Sequence, residues 1–153
     1  MKVIDVLDED FVNYRLPSMT IAFPFCTFKC GKDICQNAEL AELKLIEISA
    51  EKLVKRYLSN PISKSVVMQG LEPFDSFEDV KEFIAEFSKY SKDPVVIYTG
   101  YDKNEIEDKI KELRGLHENI IIKYGRYLPN QEQHFDEVLG VYLSSDNQYA
   151  ERL

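Results

Sequence analysis

Met19-Thr20-Ile21-Ala22-Phe23-Pro24-Phe25-Cys26-Thr27-Phe28-Lys29-Cys30-Gly31-Lys32-Asp33-Ile34-Cys35 carries two signals in succession. Its first seven residues are an apolar run short enough for a buried strand. A loop holding three cysteines follows directly, at Cys26, and runs to about Asn37. The same sequence of events recurs downstream. Ser65-Val66-Val67-Met68 reads as a second buried strand, with Gln69-Gly70-Leu71-Glu72-Pro73 as the loop at its end. Val95-Val96-Ile97-Tyr98 is a third, followed by Thr99-Gly100-Tyr101, and Ile120-Ile121-Ile122-Lys123 a fourth.

Helical segments separate these strands. Ala38 to Lys44 has the spacing of a short helix, and Leu45 to Ile48 alternates as an extended segment. Ser49 is placed to cap a helix over Ala50 to Leu58, whose apolar residues Leu53, Val54, Tyr57 and Leu58 share one face. Asn60-Pro61 stops it. Ser76, with Asp79 three residues on, predicts a variant capping box for a helix that buries Phe77, Val80, Phe83, Ile84 and Phe87. Residues 102–115 form a charged helix on Ile106, Ile110 and Leu113. Residues 1–17 show no clear period and read as a lead-in strand or arm. After residue 123 come turn-like residues, a polar stretch over 131–137 and one more strand over Val138 to Leu143.

Strands alternating with helices call for an α/β fold with a mainly parallel sheet and right-handed crossovers. Near-continuous apolar strands are expected where both faces are covered. Four or five such units are too few for a closed eight-fold barrel, so a partial, open (β/α) barrel is expected. Sites in such folds lie at the C-terminal ends of the strands, which would place the three marked loops along one rim.

The 153 residues read as a single domain, 1–153, with 44% hydrophobic and 30% charged residues, as in a water-soluble globular chain. No apolar run approaches the ~18 residues of a membrane span, and the N-terminus turns acidic at Asp8-Glu9-Asp10 without the apolar core of a signal peptide. A cytoplasmic setting is expected. The net charge of −8 disfavours nucleic acid and acidic membrane surfaces as partners.

All 3 cysteines lie between positions 26 and 35, too few and too close for a disulfide framework and well suited to a metal site. The spacing Cys26-x3-Cys30-x4-Cys35 admits three readings. The thiolates can cap three corners of an iron–sulfur cubane and leave the fourth iron open, in contrast to the four cysteines of a closed electron carrier. They can hold structural zinc, with His117 or His134 as a fourth ligand. They can also bind nothing.

The segment Cys26 to Asn37 resembles the cysteine loop of the radical S-adenosylmethionine (SAM) activating enzymes, and within them the activating proteins of anaerobic ribonucleoside-triphosphate reductase. Phe28 and Asn37 fit that pattern; the second gap is two residues longer than the usual one. Gly70-Leu71-Glu72-Pro73 is similar to the family's Gly-Gly-Glu-Pro, with leucine for the second glycine, and Tyr98-Thr99-Gly100-Tyr101 to its aromatic-Thr-Gly-Tyr segment. Ser144-Ser145-Asp146-Asn147-Gln148 is similar to its Gly-Ser-Ser-Asn-Gln tail, and Tyr124-Gly125 stands where an Asp-Gly is usual.

The resemblance implies a partial, open barrel of the radical SAM type and a 4Fe-4S cluster held by Cys26, Cys30 and Cys35. It implies SAM bound by Ile34, Gln36, Gly70, Leu71, Glu72, Pro73 and Thr99, with the Gly70–Pro73 motif receiving its amino group. The implied activity is one-electron cleavage of SAM, the resulting 5′-deoxyadenosyl radical taking a hydrogen atom from a glycine of a partner enzyme. The expected partners are a glycyl-radical enzyme, foremost the large subunit of anaerobic ribonucleotide reductase, and a flavodoxin or ferredoxin as electron donor. The short chain favours a protein substrate, which can itself close the open side of a partial barrel. The alternatives are activation or modification of another protein or a small molecule, and a non-catalytic iron–sulfur or zinc module.

Overall fold

The computed structural model describes residues 1–153. In chain order the strands are β1 (Lys2–Val3), β2 (Asp5–Asp10), β3 (Ser18–Phe23), β4 (Ile46–Glu47), β5 (Ser65–Gly70), β6 (Val95–Tyr98), β7 (Ile120–Tyr124), β8 (His134–Asp136), β9 (Val141–Leu143) and β10 (Tyr149–Arg152). The α-helices are α1 (Ala50–Ser59), α2 (Phe77–Phe87) and α3 (Glu107–Arg114).

The centre is a mixed six-stranded sheet in the order β10-β7-β6-β5-β3-β2. Strands β3, β5, β6 and β7 are parallel neighbours, while β2 and β10 pair antiparallel at the two edges and not with each other. Each parallel strand is laid beside the previous one, always in the same direction. Right-handed crossovers then place every helix on one face. That face is the larger core: Met19, Ile21, Val66, Met68, Val95, Ile97, Ile120 and Ile122 pack with Leu53, Val54 and Tyr57 of α1, five residues of α2, and Ile110 and Leu113 of α3.

Strand residues alternate between faces. Val67, Val96 and Ile121, in mutual register, point the other way. There no helix covers them; Tyr14, Leu139, Leu143 and Ala150 do. Cover on this second face comes from residues 11–16 and the β8–β9 hairpin, while Ala150 of the edge strand β10 extends the apolar row sideways.

Several expectations are altered by tertiary context. The first strand ends at Phe23, two residues before the cysteine loop, and the second extends through Gly70, so Gln69 and Gly70 belong to β5. Ala38–Glu42 forms a tight 3-10 turn, and the segment expected to be extended over 45–48 shrinks to β4, paired with β1. Ser49 caps α1 as expected, accepting from Lys52 N at 3.3 Å, but the helix buries Ala50, Leu53, Val54 and Tyr57 and leaves Leu58 48% exposed.

Ser76 does not cap α2. Its hydroxyl is buried without a partner, and Asp79 instead accepts from Lys2 N at 2.9 Å. The helix over 102–115 divides into a 3-10 turn, Lys103–Glu105, with a reciprocal Asp102/Glu105 capping box, and then α3. The C-terminal segment holds three short strands instead of one, including β8 inside the polar stretch. No helix is long and apolar enough to cross a membrane.

Candidate functional site

A cavity of about 550 Å³ opens at the C-terminal ends of β3, β5, β6 and β7. That size falls within the range of small-molecule sites. It lies against the sheet face without helices, since Gln69, Tyr98 and Lys123 line it and continue the Val67, Val96 and Ile121 row by one pleat each. The loops after all four parallel strands contribute to the wall, as does the hairpin strand β9.

The cysteine loop is shaped by two left-handed residues, Phe28 (φ 51°) and Gly31 (φ 92°). They let the chain fold back, with Gly31 N donating to Phe28 O at 2.8 Å. The residues added between Cys30 and Cys35 are taken up by one 3-10 turn, Lys32–Ile34. All three cysteines are half-buried, free thiols lining the cavity.

Burial, then the nearby charges of Glu72, Asp75 and Cys30, pushes the Cys26 thiol up to about 11. Burial and the neighbouring Cys35 raise Cys30. Thiols held protonated in this way give up their protons on taking a metal, so loading is favoured at higher pH.

Side chains from the next two loops hold the cysteine loop in place. Asp75 accepts from Thr27 N at 2.8 Å and from the Tyr101 hydroxyl at 2.7 Å. Asn37 Nδ2 donates to Gly70 O at 3.3 Å. Lys29 sits over the Tyr101 ring, 4.9 Å from its centroid, and Arg126 stacks on the same ring at 5.5 Å while pairing with Glu105 at 2.8 Å. These cations stand beside thiols that become anions on binding metal.

Gly70 is required at its position: a Cβ there would lie 2.7 Å from Phe23 N and 2.8 Å from Phe23 O, and its φ is 105°. Leu71 carries no such constraint, because Phe28 and Asn130 are the only non-glycine residues with positive φ. The leucine in the motif's second position is therefore unstrained.

Glu72 is buried, yet its carboxylate is well supplied with donors. Oε1 accepts from the Thr99 hydroxyl at 2.7 Å and Phe74 N at 3.1 Å; Oε2 accepts from Gly100 N at 2.9 Å. Burial raises it to about 7 against the lowering effect of these bonds. Its main visible work is to latch the β5 loop to the β6 loop. Pro73 starts the 3-10 turn Pro73–Ser76, is buried there, and does not line the cavity.

Cys26, Cys30, Cys35, Ile34, Gln36, Gly70, Leu71, Glu72 and Thr99 all line this one cavity. Neither histidine does. His117 is held in the helix-side packing by Ser88 at 3.0 Å and Asp93 O at 2.9 Å, and His134 lies in β8. The fourth-ligand role considered for them is not supported by their positions. Tyr124 turns into the helix-side core. Its neighbour Lys123 faces the cavity.

Asp75, Arg126 and Lys123 escaped the reading of the sequence. So did the lip at Val12 and Asn13, fixed by the buried Asp10, which accepts from Val12 N at 2.8 Å and Thr20 Oγ1 at 2.7 Å. Only Asp75, two residues beyond the Glu-Pro pair, carried a local signal.

No group of three His, Cys, Asp or Glu side chains closes on a single ion-sized point. A cubane presents a separate iron to each of three thiolates and can leave the fourth without a side-chain ligand. The donor set, three thiols on one wall with no histidine beside them, fits a 4Fe-4S cluster bound at three corners. A family model described as "4Fe-4S single cluster domain" matches residues 18–148, the span from the start of β3 through the last cavity-lining residue, Gln148. No curated protein and no solved structure matches the chain.

Proposed function

The chain belongs to the 4Fe-4S single-cluster domain family, and on that premise we propose that it is a radical SAM activating enzyme that generates a glycyl radical on a partner protein. The observation that carries this reading is the convergence of the cysteine loop, the Gly70–Glu72 motif and Thr99 on one cavity. Three cysteines there leave one corner of a cubane without a side-chain ligand.

When bound, the cluster would supply one electron to SAM, releasing methionine and the 5′-deoxyadenosyl radical that takes the hydrogen atom. The chain's own part is placement and exclusion of water. Cys26, Cys30 and Cys35 would hold the irons. Ile34 and Leu71 put apolar surface beside the reacting region, and Glu72 keeps the two rim loops in register through Thr99 and Gly100. Arg126 and Lys29 offset the thiolate charge.

The structure is an α/β fold with a mixed six-stranded sheet, its helices on one face and the cavity on the other, and the open barrel remains part of the proposal alone. In this reading the open side of the sheet admits the partner's glycine loop. The partner is a glycyl-radical enzyme, foremost anaerobic ribonucleotide reductase, the electron comes from a flavodoxin or ferredoxin, and the setting is a low-oxygen cytoplasm.

Anaerobic reconstitution with iron and sulfide, followed by SAM and dithionite, tests the proposal. Formation of 5′-deoxyadenosine together with methionine is expected. A chain that holds iron and sulfide but never cleaves SAM would be a non-catalytic cluster protein, and the enzyme reading would fail.

A further inference from the structure

Phe28 is an aromatic residue with a φ of 51°, in the left-handed region that side chains avoid unless the surroundings hold them there. That conformation turns an amide onto a thiol: Phe28 N donates back to Cys26 Sγ at 3.2 Å. Burial dominates the state of the Cys26 thiol. Among the polar groups, the Phe28 amide favours the thiolate, and the charges of Glu72 and Asp75 oppose it.

The turn is held from two sides. Gly31 N closes it locally on Phe28 O, at 2.8 Å. From 48 positions along the chain, Asp75 Oδ2 accepts from Thr27 N at 2.8 Å. Asp75 Oδ1 accepts from the Tyr101 hydroxyl at 2.7 Å, and that hydroxyl lies 3.4 Å from Thr27 Oγ1. Both oxygens of Asp75 thus serve other loops. With the Thr27 amide fixed on one side and Gly31 on the other, the Phe28 amide has a set direction. Without the Asp75 acceptor, the segment Cys26 to Phe28 would be free to leave its strained conformation.

We propose that Asp75 is a positioning residue for the cluster: it holds the turn at Thr27 and Phe28 so that the Phe28 amide keeps its bond to the Cys26 sulfur, and through that bond it favours the reduced cluster. The assignment rests on a cluster held by the three cysteines and not on SAM cleavage. Reduction adds one negative charge to the iron–sulfur core and its thiolates, and an amide donor at a sulfur stabilises that charge. Asp75 also acts in the opposite sense, since its own negative charge disfavours the added electron.

The two effects are separable. Asn offers one acceptor oxygen and one amino group. It can keep the Thr27 bond, turn the amino group to the Tyr101 oxygen, and carry no charge. Ala has neither the acceptor nor the charge, so Asp75→Asn against Asp75→Ala isolates the positioning.

Anaerobically reconstituted wild type, Asp75→Asn and Asp75→Ala are poised at one ambient potential without SAM, and the ratio of reduced to oxidised cluster is read by electron paramagnetic resonance. Asp75→Asn is expected to hold at least as much reduced cluster as wild type. Asp75→Ala is expected to show a ratio about 3- to 10-fold below that of Asp75→Asn, the worth of one hydrogen bond. In the cluster-free proteins, with melting followed to show that the fold is kept, the amides of Thr27 and Phe28 should exchange hydrogen faster in Asp75→Ala than in the other two.

Equal ratios in Asp75→Asn and Asp75→Ala would show that Asp75 acts by charge alone, and unchanged exchange in Asp75→Ala would show that the turn holds itself. Either result overturns the positioning role and leaves the cluster and SAM readings standing. If Asp75→Ala keeps too little cluster to poise, the exchange comparison decides by itself. A wild type that takes up no cluster overturns the cluster reading as well.

Discussion

The two faces of the central sheet are made by alternate residues of the same four strands, and they behave differently. Toward the helices, the row Met19, Ile21, Val66, Met68, Val95, Ile97, Ile120 and Ile122 is apolar to its end, and three helices seal it. On the opposite face Val67, Val96 and Ile121 are just as buried, but one pleat further the row becomes Gln69, Tyr98 and Lys123. The cavity begins where that change occurs. A strand buried on both faces is thus core on one side for its full length, and core turning into site on the other. The site exists because cover on the second face comes from short irregular segments that line a cavity there instead of sealing the sheet.

Cys30→Ala separates the two faces most sharply. Cluster absorbance and 5′-deoxyadenosine formation should both vanish, while the melting transition of the cluster-free protein moves by no more than about 0.5 kcal/mol, as for a half-exposed residue. Retention of the absorbance would mean that other ligands hold the iron.

Phe83→Ala should do the reverse. Phe83 is fully buried on the helix side and stacks on Phe87 with ring centres 5.6 Å apart. The loss should be about 3–5 kcal/mol in urea titration, with cluster content per folded molecule unchanged. Loss of cluster at full folding would mean the two faces are coupled.

The smallest effect concerns Glu72, at the boundary. Its folded pKa, about 7, lies above the usual 4.5. The folded state therefore holds a proton that the unfolded chain has released between those values. The stability linked to Glu72 is fully present below about pH 4.5 and declines as pH rises through 7. Urea titrations of the cluster-free protein from pH 5 to 8 should show this decline in wild type and a flatter profile in Glu72→Gln. Identical slopes would show that the latch carries its charge without penalty.

The sequence made the helix-side face legible because burial there is periodic. Phe77, Val80, Phe83, Ile84 and Phe87 repeat with the helix and are all buried, and Ser49 caps its helix as its position suggests. The cysteine loop was legible for another reason: thiolates clustered at close spacing have few other uses. Ser76 misled because a buried hydroxyl and a capping hydroxyl look alike without knowledge of what lies above the turn. Leu58 misled because a helical face is wider than the surface it covers.

Sequence alone determined the alternation of strand and helix, the strand cores and the chemistry of the three thiols, since propensity, periodicity and ligand softness are local properties. Tertiary structure decided which loops share a wall, that Glu72 is bound to Thr99 and Gly100 across 27 and 28 positions, that neither histidine lines the cavity, and that Lys123 rather than Tyr124 faces it. Those outcomes depend on strand register and on which face receives the helices, and a one-residue change in register would exchange every inward side chain for its outward neighbour.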